Sequence, residues 1–296
     1  MTSPRSLVDI HRRTTPVWSN PSLGLLNAER LPVHRDIMKL FWIYVAVLGV
    51  AVGSFLNVVI YRVPRRLSIV RPRSACPGCA QPIANRDNIP VVSWLLLRGR
   101  CRHCHCRISV RYPLVELATG VLFALTAWRV GVHLDLVAFL ILDASLIALA
   151  FIDLEKMLLP RSIVYPTLVA VGAVLLIAAA RDHQWHRLGV AALCSMAWFA
   201  VFFVTNLVSP RALGFGDVRL SALLGLALGW LGVGDLLLGF FSANLVGAVV
   251  GVTLIATKKM RRDQPIPYGV FLALGAIFAV LLGPLLLSHW HHWPTT

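Results

Sequence analysis

A chain of 296 residues in which 57% are apolar and only 14% are charged, with a mean hydropathy of +0.74, carries more apolar surface than a water-soluble domain can bury. The formal net charge of +15 would suit a nucleic-acid binder if the 28 Lys and Arg covered one surface, but they gather in a few connections between apolar runs. Composition therefore predicts an all-α polytopic membrane protein in a lipid bilayer with no nucleic-acid partner, its positive charge a signal of topology and of anionic lipid.

Residues 1–37 are polar, carry Arg5, Arg12, Arg13, Arg30 and Arg35, and show no secretory signal pattern. Met38-Lys39-Leu40 would make a natural start directly before the first apolar run, so this tail reads as a start-site artefact or a disordered extension. Stretches long enough to cross about 30 Å of hydrocarbon follow at 40–61, 114–130, 134–152, 162–180, 188–208, 212–231, 235–256 and 268–289. They predict about eight transmembrane helices, the first within 38–61 and the others within 113–289, before a short C-terminal tail at 290–296.

Eleven arginines lie in 62–112, and further positives are Lys156, Arg161, Arg211, Arg219, Lys258, Lys259, Arg261 and Arg262. If eight helices alternate, these segments share one side, and the opposite connections hold only Arg129, Arg181 and Arg187. The positive-inside rule makes the first set cytoplasmic and both termini external, which requires residues 1–37 to be translocated.

The loop 62–112 contains Cys76-Pro-Gly-Cys79 and, after 21 intervening residues, Cys101-Arg-His-Cys104. Two Cys-x-x-Cys turns supply four soft ligands with no open position, the pattern of a structural tetrahedral zinc site. Disulfides are the alternative, disfavoured by a reducing compartment. His103, His105 and Cys106 crowd the second knuckle and read as surplus to the four ligands or as support around them, with substitution as ligands the alternative, whereas Cys194, alone in an apolar span, reads as a small buried hydrophobe. About 50 residues can hardly bury a core of their own, so zinc binding would be this loop's folding energy. The segments Asn88-Ile-Pro-Val-Val-Ser-Trp94 and Arg98-Gly-Arg100 suit an irregular, zinc-stapled cytoplasmic domain lying on the membrane between helices one and two.

Asp153, in Phe151-Ile152-Asp153-Leu154, ends the third span, and Asp217, in Gly214-Phe215-Gly216-Asp217, stands at the edge of the sixth. An ionisable residue at membrane depth is functional by default, and two aspartates sharing one proton can activate water against a peptide bond. From Asp217 to Trp230 is 14 residues, about 21 Å of helix, too short to cross. That helix is expected to begin near Ala212, with Asp217 about 7 Å below the cytoplasmic boundary. Gly214 and Gly216 would let a substrate backbone approach or the helix open locally. Asp217 as a mere helix cap is the bland alternative. Asp143 lies deeper in the third span, Glu155 and Asp263 read as solvated, and Glu116 at the start of the second span would support either site.

Taken in order, the motifs resemble one family, the type IV prepilin peptidases, also called prepilin leader peptidase/N-methyltransferases. The likeness runs through Gly53-Ser-Phe-Leu-Asn57-Val-Val-Ile-Tyr61-Arg62-Val-Pro64, the two cysteine knuckles, Asn88-Ile-Pro90 with Ser93-Trp94, Arg98-Gly-Arg100-Cys101, Tyr112-Pro113 with Glu116, Ile152-Asp153 with Leu159-Pro160, Gly214-Phe-Gly-Asp217-Val-Arg-Leu220 and Pro267-Tyr-Gly269-Val-Phe271. It covers residues 38–289. The family usually has Leu-Pro-Asp where this chain has Leu159-Pro160-Arg161, and often Lys at Arg219; neither departure touches the aspartates.

The resemblance implies a bifunctional enzyme of the bacterial inner membrane. It would cut the basic leader from type IV prepilins or type II secretion pseudopilins after a glycine on the cytoplasmic face, then methylate the new N-terminus with S-adenosylmethionine. By analogy Asp153 and Asp217 are the catalytic pair within an intramembrane aspartyl peptidase domain at 113–289, and the zinc loop accompanies methylation. No Gly-rich dinucleotide-type loop points to residues for the methyl donor. Oligomeric state is not legible. A transporter would place aspartates similarly but should show repeated halves with broken helices, and a zinc-stapled scaffold leaves both aspartates unexplained.

Overall fold

The computed structural model describes residues 21–72, 74–76, 78–210, 213–258 and 266–287, with side chains from residue 36 onward except that of residue 85. The expectations for Ala212, Arg211, Lys259, Arg261, Arg262, Asp263, residues 1–20 and the tail at 290–296 fall outside these residues. The chain divides into two units, residues 1–41 and 42–296. In the first, Lys39 Nζ and Asp36 Oδ1 form an i,i+3 ion pair at 3.0 Å.

Helix α1 runs Pro21–Arg62, so it begins well before the first apolar run. Residues 25–31 are rich in Leu, Ala, Glu and Arg, strong helix formers that let a helix extend past the apolar segment without needing apolar cover. After the connecting loop, which holds the short α2 (Val92–Leu96), come α3 (Arg111–Val130), α4 (Asp135–Lys156), α5 (Arg161–Asp182), α6 (Trp185–Val208), α7 (Phe215–Leu231), α8 (Val233–Ala256) and α9 (Tyr268–Leu286). Among the described residues no strand forms and seven helices are long and apolar enough to cross a membrane. The remaining predicted span, the sixth in chain order, is α7, at 17 residues, about 25 Å. Helices are the form that satisfies backbone hydrogen bonds where lipid offers none.

Among the described residues α7 starts later than the sequence suggests. Leu213 is non-helical, Gly214 is extended (φ −71°, ψ 148°), and the first helical residue is Phe215. Short length is tolerated because α7 is the central helix: Val218, Leu220, Leu223, Leu224, Ala227, Leu228 and Trp230 are all buried. It contacts α5, α6, α8 and α9, while α4 packs against α3, α5 and α9. Small residues let these helices close on each other. A Cβ on Gly225 or Gly229 would lie 2.7 Å from Ser195 Cα or 2.6 Å from Cys194 Cβ of α6, and one on Gly275 only 2.2 Å from the Gly239 carbonyl of α8. Cys194 is thus a small buried contact residue, as the sequence suggests. Gly232 alone joins α7 to α8.

Up-and-down alternation puts the C-terminal ends of α1, α4, α6 and α8 with the N-terminal ends of α3, α5, α7 and α9. Asp153, at the end of α4, and Asp217, in the first turn of α7, therefore share one end of the bundle with Arg62, Arg65, Arg66, Lys156, Arg161 and Lys258. Near the opposite end, Arg187 donates to the Trp230 carbonyl (3.1 and 3.3 Å), and Trp230 Nε1 donates to Asp135 Oδ2 (3.2 Å), tying α4, α6 and α7 together.

Candidate functional site

Asp153 and Asp217 are 5% and 9% exposed, withdrawn from water but beside the basic end of the bundle. Asp153 lies close enough to Asp217 for its charge to act on it. Each stands at a helix N-terminus. Asp217 lies in the first turn of α7, its N–H bonded to the Gly214 carbonyl at 3.0 Å. Asp153 points at the start of α9, where the N–H groups of Gly269 and Val270 face its carboxyl. Free N–H groups and the helix dipole favour negative charge at such ends. Even so, Asp153 Oδ2 and Asp217 Oδ1 are buried without a hydrogen-bond partner, which is where a water or a substrate group would be held.

Leu159 is the hinge of this arrangement. The chain leaves α4 through Met157 in left-handed conformation (φ 50°), and the Leu159-Pro160 step returns it into α5. Leu159 is buried between the starts of α7 and α9: a Cβ on Gly216 would lie 2.9 Å from its Cβ, and one on Gly269 would lie 2.9 Å both from its Cδ2 and from Asp153 Oδ2. Contact with Leu159 is thus one reason for glycine at position 216 that the sequence did not show. Gly214 faces Asp217, its Cβ position 3.3 Å from Oδ2. Tyr268 also feels the Asp217 charge and holds its hydroxyl 3.2 Å from Asn244 Oδ1 of α8.

The competing acids separate cleanly. Asp143 is 1% exposed and faces Thr126 of α3, away from the pair. Glu155 is not simply solvated: Arg111, at the start of α3, forms an ion pair with it and so ties α3 to α4. Glu116 serves the loop rather than the aspartates, because its Oε2 accepts the N–H of Val91 at 2.7 Å. Val91 itself is held at φ 60°, ψ −52°, a costly backbone for a β-branched residue.

In the loop the two cysteine turns repeat one another. The Cys76 N–H bonds to the Gln81 carbonyl and the Cys101 N–H to the Cys106 carbonyl, both at 2.9 Å, with Ala80 (φ 57°) and His105 (φ 54°) reversing each turn. Bridges Ala75 with Pro82 and Arg100 with Arg107 close the two hairpins. The sulfurs of Cys76, Cys79, Cys101 and Cys104 all lie within 4.8 Å of one another. A tetrahedral zinc with Zn–S near 2.3 Å requires sulfurs about 3.8 Å apart, and Cys76 and Cys104 stand at 3.7 Å. The four thiols are free, so disulfides do not form, and neither His103 nor His105 joins the group. The N–H of Cys79, aimed at the Cys76 sulfur, holds that thiol down to about 6, which favours the thiolate a metal needs. Trp94 packs over Gly99 (φ +67°) and donates to the Ile108 carbonyl at 3.2 Å; Arg102 binds Asp87 through both carboxylate oxygens and holds that carboxyl below the usual range.

Comparison with known proteins finds matches along most of the chain. The bacterial peptidase A24 N-terminal domain matches residues 47–130, and the type IV leader peptidase family matches residues 138–252. The chain is 46% identical over 222 residues to a prepilin leader peptidase/N-methyltransferase of Myxococcus xanthus, covering 74% of this chain and 65% of that one. It is 35% identical over 283 residues to one of Aeromonas salmonicida (84% and 94%) and 40% identical over 238 residues to one of Neisseria gonorrhoeae (72% and 82%). No solved structure matches the chain.

Proposed function

The chain belongs to the type IV leader peptidase family, and on that premise we propose that it is a prepilin leader peptidase/N-methyltransferase in which Asp153 and Asp217 are the catalytic pair. The observation that carries the reading is the meeting of these two carboxyls, 64 positions apart in sequence, at the N-terminal ends of α9 and α7. One carboxylate takes a proton from water as its oxygen adds to the scissile carbonyl carbon. The other, carrying a proton, delivers it to the leaving nitrogen as the C–N bond breaks. The buried, unpartnered oxygens of both groups suit that exchange.

The substrate is a type IV prepilin or type II secretion pseudopilin, cut after a glycine. The described positive residues at the aspartate end, set against Arg129, Arg181 and Arg187 at the other, support a cytoplasmic active site in the bacterial inner membrane. Cys76, Cys79, Cys101 and Cys104 hold a structural zinc ion; their spacing fits it. S-adenosylmethionine is the methyl donor for the second activity, supplying the methyl group that replaces a proton on the new N-terminal nitrogen.

Purified protein presented with a prepilin tests the whole reading: cleavage at a single Gly-x bond supports it. No cleavage in detergent and in lipid alike would return the chain to a transporter or a zinc-stapled scaffold.

A further inference from the structure

The second knuckle carries one sulfur more than a tetrahedral centre uses. Cys106 occupies the place that Gln81 holds in the first knuckle, with the same 2.9 Å hydrogen bond from the leading cysteine's N–H to its carbonyl. Where the first turn presents an amide side chain, the second presents a thiol. The Cys106 Sγ lies 3.3 Å from Cys76 Sγ, nearer than the 3.7 Å of Cys104, and it packs over Gly78, whose Cβ would come within 2.9 Å of it. It also adjoins Cys104. Cys104 is exposed, whereas Cys106 is half-buried.

We propose that Cys106 is a reserve ligand of the metal centre, able to complete the four-sulfur set in place of Cys104. A zinc-bound pair of sulfurs stands about 3.8 Å apart, so Cys106 has to draw back from Cys76 by about 0.5 Å and turn toward Cys79 and Cys101, into the place that Cys104 holds in the four-sulfur group, to stand at a tetrahedral edge. Two residues after Cys104 in the same tight turn, it reaches that edge by side-chain rotation without remaking the hairpin that Arg100 and Arg107 close. Gly78 leaves it room, since any side chain there would fill the same space. The exposed Cys104 can therefore be blocked or lost without emptying the site.

The inference rests on the reading that the loop holds zinc, and one experiment separates the two. Full-length wild type, Cys104→Ser, Cys106→Ser and Cys104→Ser/Cys106→Ser are purified in detergent, and zinc per chain is measured. Wild type and both single variants should hold roughly one zinc per chain, and the double variant at least ten-fold less. Iodoacetamide labelling read by mass spectrometry adds a direct view of the sulfur. Cys106 should label readily in zinc-loaded wild type, become protected in zinc-loaded Cys104→Ser, and label again after chelation. Wild type without zinc would overturn the metal reading itself. Zinc in wild type with none in Cys104→Ser, or Cys106 labelling equally fast in zinc-loaded and chelated Cys104→Ser, would overturn the reserve ligand alone.

Discussion

Replacing Gly269 by alanine tests whether the position of the Asp153 carboxyl matters to cleavage. The new methyl would lie 2.9 Å from Asp153 Oδ2 and 2.9 Å from Leu159 Cδ2, so at least one of them must give way by several tenths of an ångström. A misplacement of about 1 Å at a reacting group costs on the order of 100-fold in rate, and this smaller shift should slow prepilin cleavage by about 10-fold or more. Gly269 is helical at the start of α9, so the substitution adds no backbone strain. Two companions calibrate the effect. Gly214→Ala, whose Cβ would stand 3.3 Å from Asp217 Oδ2, should lose less, about 2- to 5-fold by the same reasoning. Gly172→Ala, meeting only Leu226 Cδ2 at 3.6 Å, should cleave at the wild-type rate. The assay is the initial rate of leader removal from purified prepilin, read by mass. Leu159→Ala combined with Gly269→Ala removes the leucine clash but leaves the one with Asp153, so it should not restore the rate. Full rescue by the double variant, or wild-type cleavage by Gly269→Ala alone, would refute the claim that this glycine positions the carboxyl.

Further outcomes follow from the same geometry. Asp143→Asn should cut at a near-normal rate in that assay, since Asp143 faces Thr126 and not the aspartate pair; inactivity equal to that of a dyad variant would mean the pair is wrongly chosen. Metal analysis should find roughly one zinc per chain, lost from the pair variants Cys76→Ser/Cys79→Ser and Cys101→Ser/Cys104→Ser but kept by Cys194→Ser, which sits in α6. Zinc-site variants and Glu116→Ala, which frees the Val91 N–H, should lower N-methylation more than cleavage, seen by mass spectrometry as correctly cut pilin lacking a methyl group. If both activities fall in proportion, the loop is a strut for the whole enzyme.

Hydropathy made the spans readable because lipid demands long apolar helices whatever their neighbours are. The cysteine knuckles were readable because zinc imposes ligand type and spacing locally. Asp153 and Asp217 stood out as charges at membrane depth, and alternation of helices alone put them at one end. The role of Leu159 and the aim of α9 at Asp153 were not readable. Helices that are apolar on both their lipid and protein faces have no periodic stripe to mark the inward side, so nothing in the sequence paired Gly216 or Gly269 with Leu159. The start of α7 was missed for a related reason. Leu213 and Gly214 continue the apolar run, and only the extended backbone at Gly214 ends the helix there.

The proposed hydrolysis needs both aspartates, Asp153 from α4 and Asp217 from α7. Asp153→Asn and Asp217→Asn, each inserted in the membrane and retaining zinc, should be presented with prepilin and the products followed by mass spectrometry. Each variant should leave the leader uncut, with cleavage at least about 1,000-fold slower than wild type, as general acid–base groups contribute roughly 100- to 10,000-fold. Substantial cleavage by either variant would remove that aspartate from the chemistry.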